Sequence, residues 1–312
     1  MGNSMAEHAR CNDRDYVAMA TAANGQIRAL AVVNTGIVEE VRTRHQMLPV
    51  ASAALGRTMA ATAMLGAMLK DEEKVTVQII GDGPLEHIVA DADAKGNLRG
   101  YVQNPNVHVP SNPQGKLDVK AAVGRGHLWV IRDLGLKEPY RGGVPLISGE
   151  IAEDFASYFF RSEQTPSAVA LGVLVERDYS VRAAGGLILQ LLPGANEGIA
   201  IMLEHMLEDL PAISSIIDEG ASPEDIICHA VDDLEPKYLG QLPLRFACTC
   251  SRERCEATLI ALGAVELEDM IKEQGEAELI CHFCKERYIF DKEELEAIKD
   301  QILLQSARSD QD

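Results

Sequence analysis

Two cysteine pairs stand near the C-terminal end of this 312-residue chain: Cys248-Thr249-Cys250 and, after 30 intervening residues, Cys281-His282-Phe283-Cys284. Two close pairs at that separation supply the donors of one tetrahedral zinc site, because each pair rides on a short turn and the fold brings the turns together. His282 is a possible substitute donor, but the sulfurs of Cys248, Cys250, Cys281 and Cys284 already complete a tetrahedron, so one zinc ion per chain is expected. The spacing has a redox consequence as well. Cysteines at i,i+2 and i,i+3 can close into a disulfide with modest backbone adjustment. A site of this kind holds a metal when reduced and becomes two disulfides when oxidised. The sequence leaves the pairing open; closure within each pair, Cys248–Cys250 and Cys281–Cys284, is the expectation.

Around these pairs lie further groups. Cys255 is a fifth thiol, read either as a packed cysteine or as a partner in thiol exchange, while Cys228 and Cys11 stand outside any ligand spacing. Four thiolates around a divalent ion leave a net charge of −2, and Arg252, Arg254, Lys285 and Arg287 flank the pairs. They either stabilise the thiolates or serve as ordinary surface charge. Elsewhere, Asp91-Ala92-Asp93-Ala94-Lys95-Gly96 opens like a calcium loop, but Lys95 occupies a ligand position and Val102 stands where the bidentate Glu belongs. A hairpin loop is expected there. No glycine run completes a phosphate-binding fingerprint, and the eight histidines show no paired metal spacing. The expectation is a protein that is not an enzyme.

Charge separates the chain into two regimes. Residues 195–312 carry 27 acidic and 10 basic side chains, a balance of −17 out of −19 for the whole. An acidic region around the cysteines argues against a nucleic-acid zinc ribbon, which needs a basic footprint. Six of the seven cysteines fall in this acidic third, which in a reducing cytosol reads as metal or redox chemistry rather than a disulfide framework. The first 15 residues lack a secretory pattern. Pro49–Leu69, the longest apolar stretch, carries Arg57, Ser52, Thr58 and Thr62 and reads as a buried Ala/Met-rich helix, not a membrane span. A soluble cytoplasmic protein is expected.

The elements that must position the cysteines follow from periodicity. Apolar runs on either side of Asn24-Gly25 predict a hairpin over Tyr16–Val33, and Pro49 opens a long helix. Strands are predicted at Lys74–Ile80, His87–Ala90, Leu98–Val102, His127–Ile131, Val169–Val175 and Leu187–Leu192, and a helix at Ile151–Arg161. With no strict βαβ alternation, the fold class is α+β: a mixed sheet-and-helix N-terminal domain, a helical linker and a small C-terminal zinc-binding domain. After Pro193-Gly194, Ile199, Met202, Leu203, Met206 and Leu210 fall on one helical face, and Ser222-Pro223 opens a second helix through Val231. A last helix is predicted at Lys292–Leu304. The expected boundaries are a tail at 1–13, a core at 14–194, a linker at 195–247, a redox-switch domain at 248–305 and a tail at 306–312.

Taken together, these residues resemble the 33-kDa heat-shock redox chaperone family. The likeness rests on Cys248-Thr249-Cys250-Ser251-Arg252-Glu253-Arg254-Cys255, Cys281-His282-Phe283-Cys284, Gly81-Asp82-Gly83-Pro84, Tyr158–Pro166 with its Arg161-Ser162-Glu163-Gln164, and Ala184-Gly185-Gly186-Leu187. The resemblance implies an ATP-independent holdase for unfolded proteins, activated when oxidants expel zinc, and a homodimer on activation. Loss of zinc would unfold the last domain and free the apolar face at Ile199, Met202, Leu203, Met206 and Leu210 for clients. Two other functions fit the cysteines: a constitutive binder stapled by zinc, and a thiol–disulfide oxidoreductase using Cys281 and Cys284, although a CxxC of that kind usually sits near a βαβ pattern that is not evident here.

Overall fold

A computed structural model of the chain describes residues 15–196, 198–199, 202 and 210–309. They divide into two units, one ending at Ala247 and the other beginning at Cys248. The expected N-terminal tail with Cys11, residues 310–312, and Leu203 and Met206 lie outside the described residues.

The first unit opens with the hairpin read from Asn24-Gly25: β1 (Tyr16–Ala22) and β2 (Ile27–Val33), with both turn residues at positive φ. Helices α1 (Thr35–His45) and α2 (Pro49–Gly66) follow, then β3 (Lys74–Gly81), β4 (His87–Asp93), β5 (Asn97–Val102), α3 (Val119–Val123), β6 (Gly126–Asp133) and β7 (Tyr140–Pro145). The chain continues through α4 (Ala152–Arg161), β8 (Ser167–Val175), β9 (Val181–Leu191), α5 (Ile213–Asp218), α6 (Pro223–Val231), β10 (Lys237–Pro243) and β11 (Arg245–Phe246). Two sheets result, ordered β10-β1-β2-β9-β8 and β11-β5-β4-β3-β6-β7. The α+β expectation holds.

Helix α2 explains why its sequence is so rich in small residues. It packs against strands of both sheets, so 16 of its 18 residues are buried, and its one charged side chain, Arg57, pairs with Glu150 (2.8 Å). Its polar residues stay because their hydroxyls bond one turn back: Thr58 to the Ala54 carbonyl (2.9 Å) and Thr62 to that of Thr58 (2.7 Å). Among the described residues no helix is long and apolar enough to cross a membrane.

The motifs that carried the resemblance also have structural work. A Cβ at Gly81 would sit 1.9 Å from the Val123 carbonyl oxygen, so Gly81-Asp82-Gly83 is shaped by the close approach of the α3–β6 turn. In Arg161-Ser162-Glu163-Gln164, the Glu163 carboxylate accepts from the Tyr158 hydroxyl (2.9 Å) and from the Arg132 guanidinium, tying the end of α4 to β6.

Of residues 195–247, expected as a helical linker, the described stretch 210–247 is built into the first unit. Helices α5 and α6 lay Ile213, Ile216, Ile226, Ile227 and Val231 over the outer face of the five-stranded sheet. Strand β10 pairs with β1 and β11 with β5. Each helix is too short to be stable alone, and packing on a ready-made apolar sheet supplies what its own length cannot.

The second unit holds α7 (Arg252–Leu262), α8 (Ala264–Glu273), the antiparallel pair β12 (Glu276–Ile280) and β13 (Arg287–Asp291), and α9 (Lys292–Ser309), which runs into the stretch expected as a tail. Its core is small: Leu259, Leu267, Ala277, Phe290, Leu295 and Ile298.

Candidate metal centre

Both cysteine pairs sit on turns at the ends of regular elements. Cys248 and Cys250 immediately precede α7, whose N-cap Ser251 accepts from the Arg254 amide (3.3 Å). Cys281 and Cys284 lie in the turn between β12 and β13. There the Cys281 amide donates to Glu286 O (2.9 Å), the Lys285 amide donates to Cys281 O (3.0 Å), and Lys285 takes a left-handed φ of 62°. The register of β12 with β13, from Glu276↔Asp291 to Ile280↔Arg287, fixes how that turn is presented.

The four sulfurs meet. All lie within 4.8 Å of one another, with Cys248 to Cys281 at 3.6 Å and Cys250 to Cys284 at 3.3 Å. A zinc ion bound at about 2.3 Å to four thiolates places them roughly 3.8 Å apart, so the cluster fits a zinc-binding domain. The two hydrogen-bonded sulfur pairs run between the turns, so the reduced geometry does not itself select closure within each pair.

Burial works against a thiolate at Cys248, but hydrogen bonds from the Cys250 backbone and from the sulfurs of Cys250, Cys281 and Cys284 outweigh it and bring Cys248 down to about 7. Burial pushes Cys250 and Cys284 up instead. A divalent cation held there would favour the thiolate of all four, since each sulfur must be deprotonated to donate. Tyr288 adds a further group that sequence spacing does not announce: its hydroxyl donates to Cys250 Sγ at 3.3 Å.

Three of the flanking cations, Arg252, Arg254 and Arg287, have partners other than the sulfurs. Arg254 Nη1 donates to Thr249 O (2.9 Å) and Oγ1 (2.8 Å), bracing the Cys248–Cys250 turn from within. Arg252 holds both oxygens of Glu294 (2.6 and 2.7 Å) and stacks 4.3 Å from the Phe290 ring centre, while Arg287 pairs with Glu278. Their contribution is to shape and anchor the turns. Cys255 packs against the second unit's small core, and burial raises its pKa. Cys228 donates to Asp232 Oδ1 (3.1 Å) in the first unit and has no place in the cluster. Of the apolar face read from sequence, Ile199 and Leu210 pack on the α5–α6 cluster and Met202 is exposed.

Fold and site thus define a two-unit α+β protein with a four-thiol cluster suited to a metal ion in its smaller, C-terminal unit. A family model described as Hsp33 protein matches residues 15–291. The chain is 55% identical over 285 residues to the 33 kDa chaperonin of Desulforamulus reducens, covering 91% of this chain and 97% of that protein. It is 50% identical over 288 residues to the 33 kDa chaperonin of Bacillus subtilis, covering 92% and 99%. The crystal structure of the 33 kDa chaperonin (heat shock protein 33 homolog) from Thermotoga maritima superposes with a TM-score of 0.88 at 38% identity, over 93% of this chain and 99% of that one. The chain belongs to the Hsp33 family.

Proposed function

We propose that this chain is a redox-regulated, ATP-independent holdase of the cytoplasm, binding unfolding proteins after its cluster cysteines are oxidised and acting by binding rather than catalysis. The observation that supports this reading is a cluster of four sulfurs within 4.8 Å in a unit whose buried core, among the described residues, is Leu259, Leu267, Ala277, Phe290, Leu295 and Ile298. Cys248, Cys250, Cys281 and Cys284 are the proposed ligands of one zinc ion per chain. Zinc bound there cross-links the two turns and contributes roughly 10–16 kcal/mol of apparent folding free energy.

The thiols do the sensing. Peroxide takes two electrons from each pair; two thiolates become one disulfide, two protons are consumed and the peroxide leaves as two waters. Hypochlorite acts on the same thiols. Sulfurs tied in disulfides no longer donate to a metal, and the second unit loses its cross-link. In the unfolded segment, sulfurs two or three residues apart remain neighbours whereas those some thirty residues apart do not, which supports Cys248–Cys250 and Cys281–Cys284 as the oxidised pairing. The client surface takes in the face at Ile199, Met202, Leu203, Met206 and Leu210, and two oxidised chains associate as a homodimer. The acidic C-terminal third keeps the loaded chaperone dispersed.

Light scattering of a heat-unfolding client tests this, with zinc release followed in the same sample. Suppression of aggregation only after oxidation, with about one zinc released per chain, is the expected result. Equal suppression by reduced and oxidised protein would instead establish a constitutive binder.

A further inference from the structure

The last piece of the first unit before Cys248 is an extended segment laid along the edge of the six-stranded sheet. Within that sheet β3, β4, β5, β6 and β7 pair antiparallel; β11 alone is parallel, with Arg245 opposite Asn97 and Phe246 opposite Leu98. The Leu244 amide donates to Asp15 O (2.8 Å), Arg245 to Gly96 O (3.0 Å) and Ala247 to Leu98 O (3.2 Å). Side chains follow the backbone. Arg245 Nε donates to Asn97 Oδ1 (2.7 Å), and Phe246 packs half-buried against the core with the Arg44 guanidinium 4.9 Å from its ring centre. The host edge is shaped for this passage: Gly96 has φ +79°, and a Cβ there would fall 2.0 Å from Pro243 O.

This is the arrangement of strand addition, in which backbone hydrogen bonds supply affinity and a side-chain seat supplies selectivity. The guest is short. β11 covers two residues of β5, whereas β5 runs on to Val102. Its next residue after Ala247 is Cys248, the first thiol of the cluster.

We propose that β11 is a built-in occupant of a client-binding edge: when the second unit unfolds, β11 frays from β5 and an extended segment of an unfolded polypeptide takes its place. The occupant's own chemistry defines the client. It is an extended backbone parallel to β5, with an aromatic or large apolar side chain in the seat of Phe246 and a polar or basic residue before it. The proposal rests on the redox-switch reading, which supplies the unfolding that frees the strap.

The test uses full-length protein and reduced, carboxymethylated α-lactalbumin, a probe that stays unfolded without heat or oxidant. A photo-crosslinking residue replaces Asn97 at this edge or, as control, Arg141 on β7 at the opposite edge. Oxidised protein is expected to crosslink the probe from position 97 well above position 141, and reduced protein from neither. Ala247→Pro removes the donor to Leu98 O and is compatible with the extended backbone before it. Reduced and metal-loaded, this variant is expected to bind the probe about tenfold more tightly than the reduced parent, the equivalent of about one net hydrogen bond lost by the occupant. Oxidised parent that binds the probe yet crosslinks equally from 97 and 141 would overturn the edge proposal and leave the redox reading standing. Binding by Ala247→Pro without binding by the oxidised parent would support the edge and overturn the redox reading. Binding by neither would overturn both.

Discussion

In the first unit an Ala-rich helix is buried on nearly every side between two sheets, and Tyr158, Phe155 and Phe159 are fully enclosed. In the second, six apolar side chains form the core while four thiols crowd within 4.8 Å. The larger unit is held by the area it removes from water, a force indifferent to oxidants. A unit of 65 residues has little core to offer, and we propose that its fold leans on thiol chemistry that an oxidant would destroy. On the proposed reading, one chain joins a stable body to a fragile one, and the fragile one carries the sensor.

Metal removal breaks the comparison open with the largest effect. Chelation of the reduced protein is expected to cost the second unit roughly 10–16 kcal/mol and unfold it. Limited proteolysis should then cut within residues 248–309 and leave a resistant fragment ending near Ala247. The first unit answers to packing instead. Phe155→Ala is expected to cost about 3–5 kcal/mol in its denaturant unfolding, with zinc affinity unchanged.

Asp15 gives the first unit a pH signature. Burial raises its carboxyl from 3.8 to about 6, although the Ile37 and Gly36 amides donate to it (2.7 and 3.2 Å). The folded state thus binds this proton more tightly than the unfolded chain. The resulting stability is complete below about pH 4 and is lost as pH rises through about 6. Its span is at most about 3 kcal/mol, and Asp15→Asn should flatten that part of the unfolding profile. The smallest expected effect sharpens the picture of the second unit. Arg252→Ala removes the Glu294 pair and the stacking on Phe290, both partly exposed. A loss of about 1–2 kcal/mol is expected, seen as faster metal release to a chelator with all four thiols intact.

The four-cysteine cluster was legible because its code is local: cysteines two and three residues apart must share a turn, whatever the rest of the fold does. The β1–β2 hairpin and α2 were legible for the same reason, through Asn24-Gly25 and through an apolar run opened by Pro49. Other features depend on partners distant in sequence. Helix α1 buries Ile37, Val38, Val41 and His45, but Glu39-Glu40 and Arg42 to Arg44 mask that period. Strand β10 shows no alternation because it is an edge strand with nearly every residue exposed, and β11 is too short for any pattern. Asp15 borders the expected tail, and its partners lie more than twenty residues on. Tyr288 reaches Cys250 across 38 positions, a relation set where the fold brings β13 to the turn before α7.

Residue-resolved hydrogen exchange, before and after oxidation, tests most directly the claim that one unit is held by its thiols and the other by its core. Amides of β12, β13 and α7 to α9 should lose protection in step with metal release, while those of α2 and β3 to β6 keep theirs. Retained protection in the second unit once both disulfides have formed and the metal has gone would contradict the account.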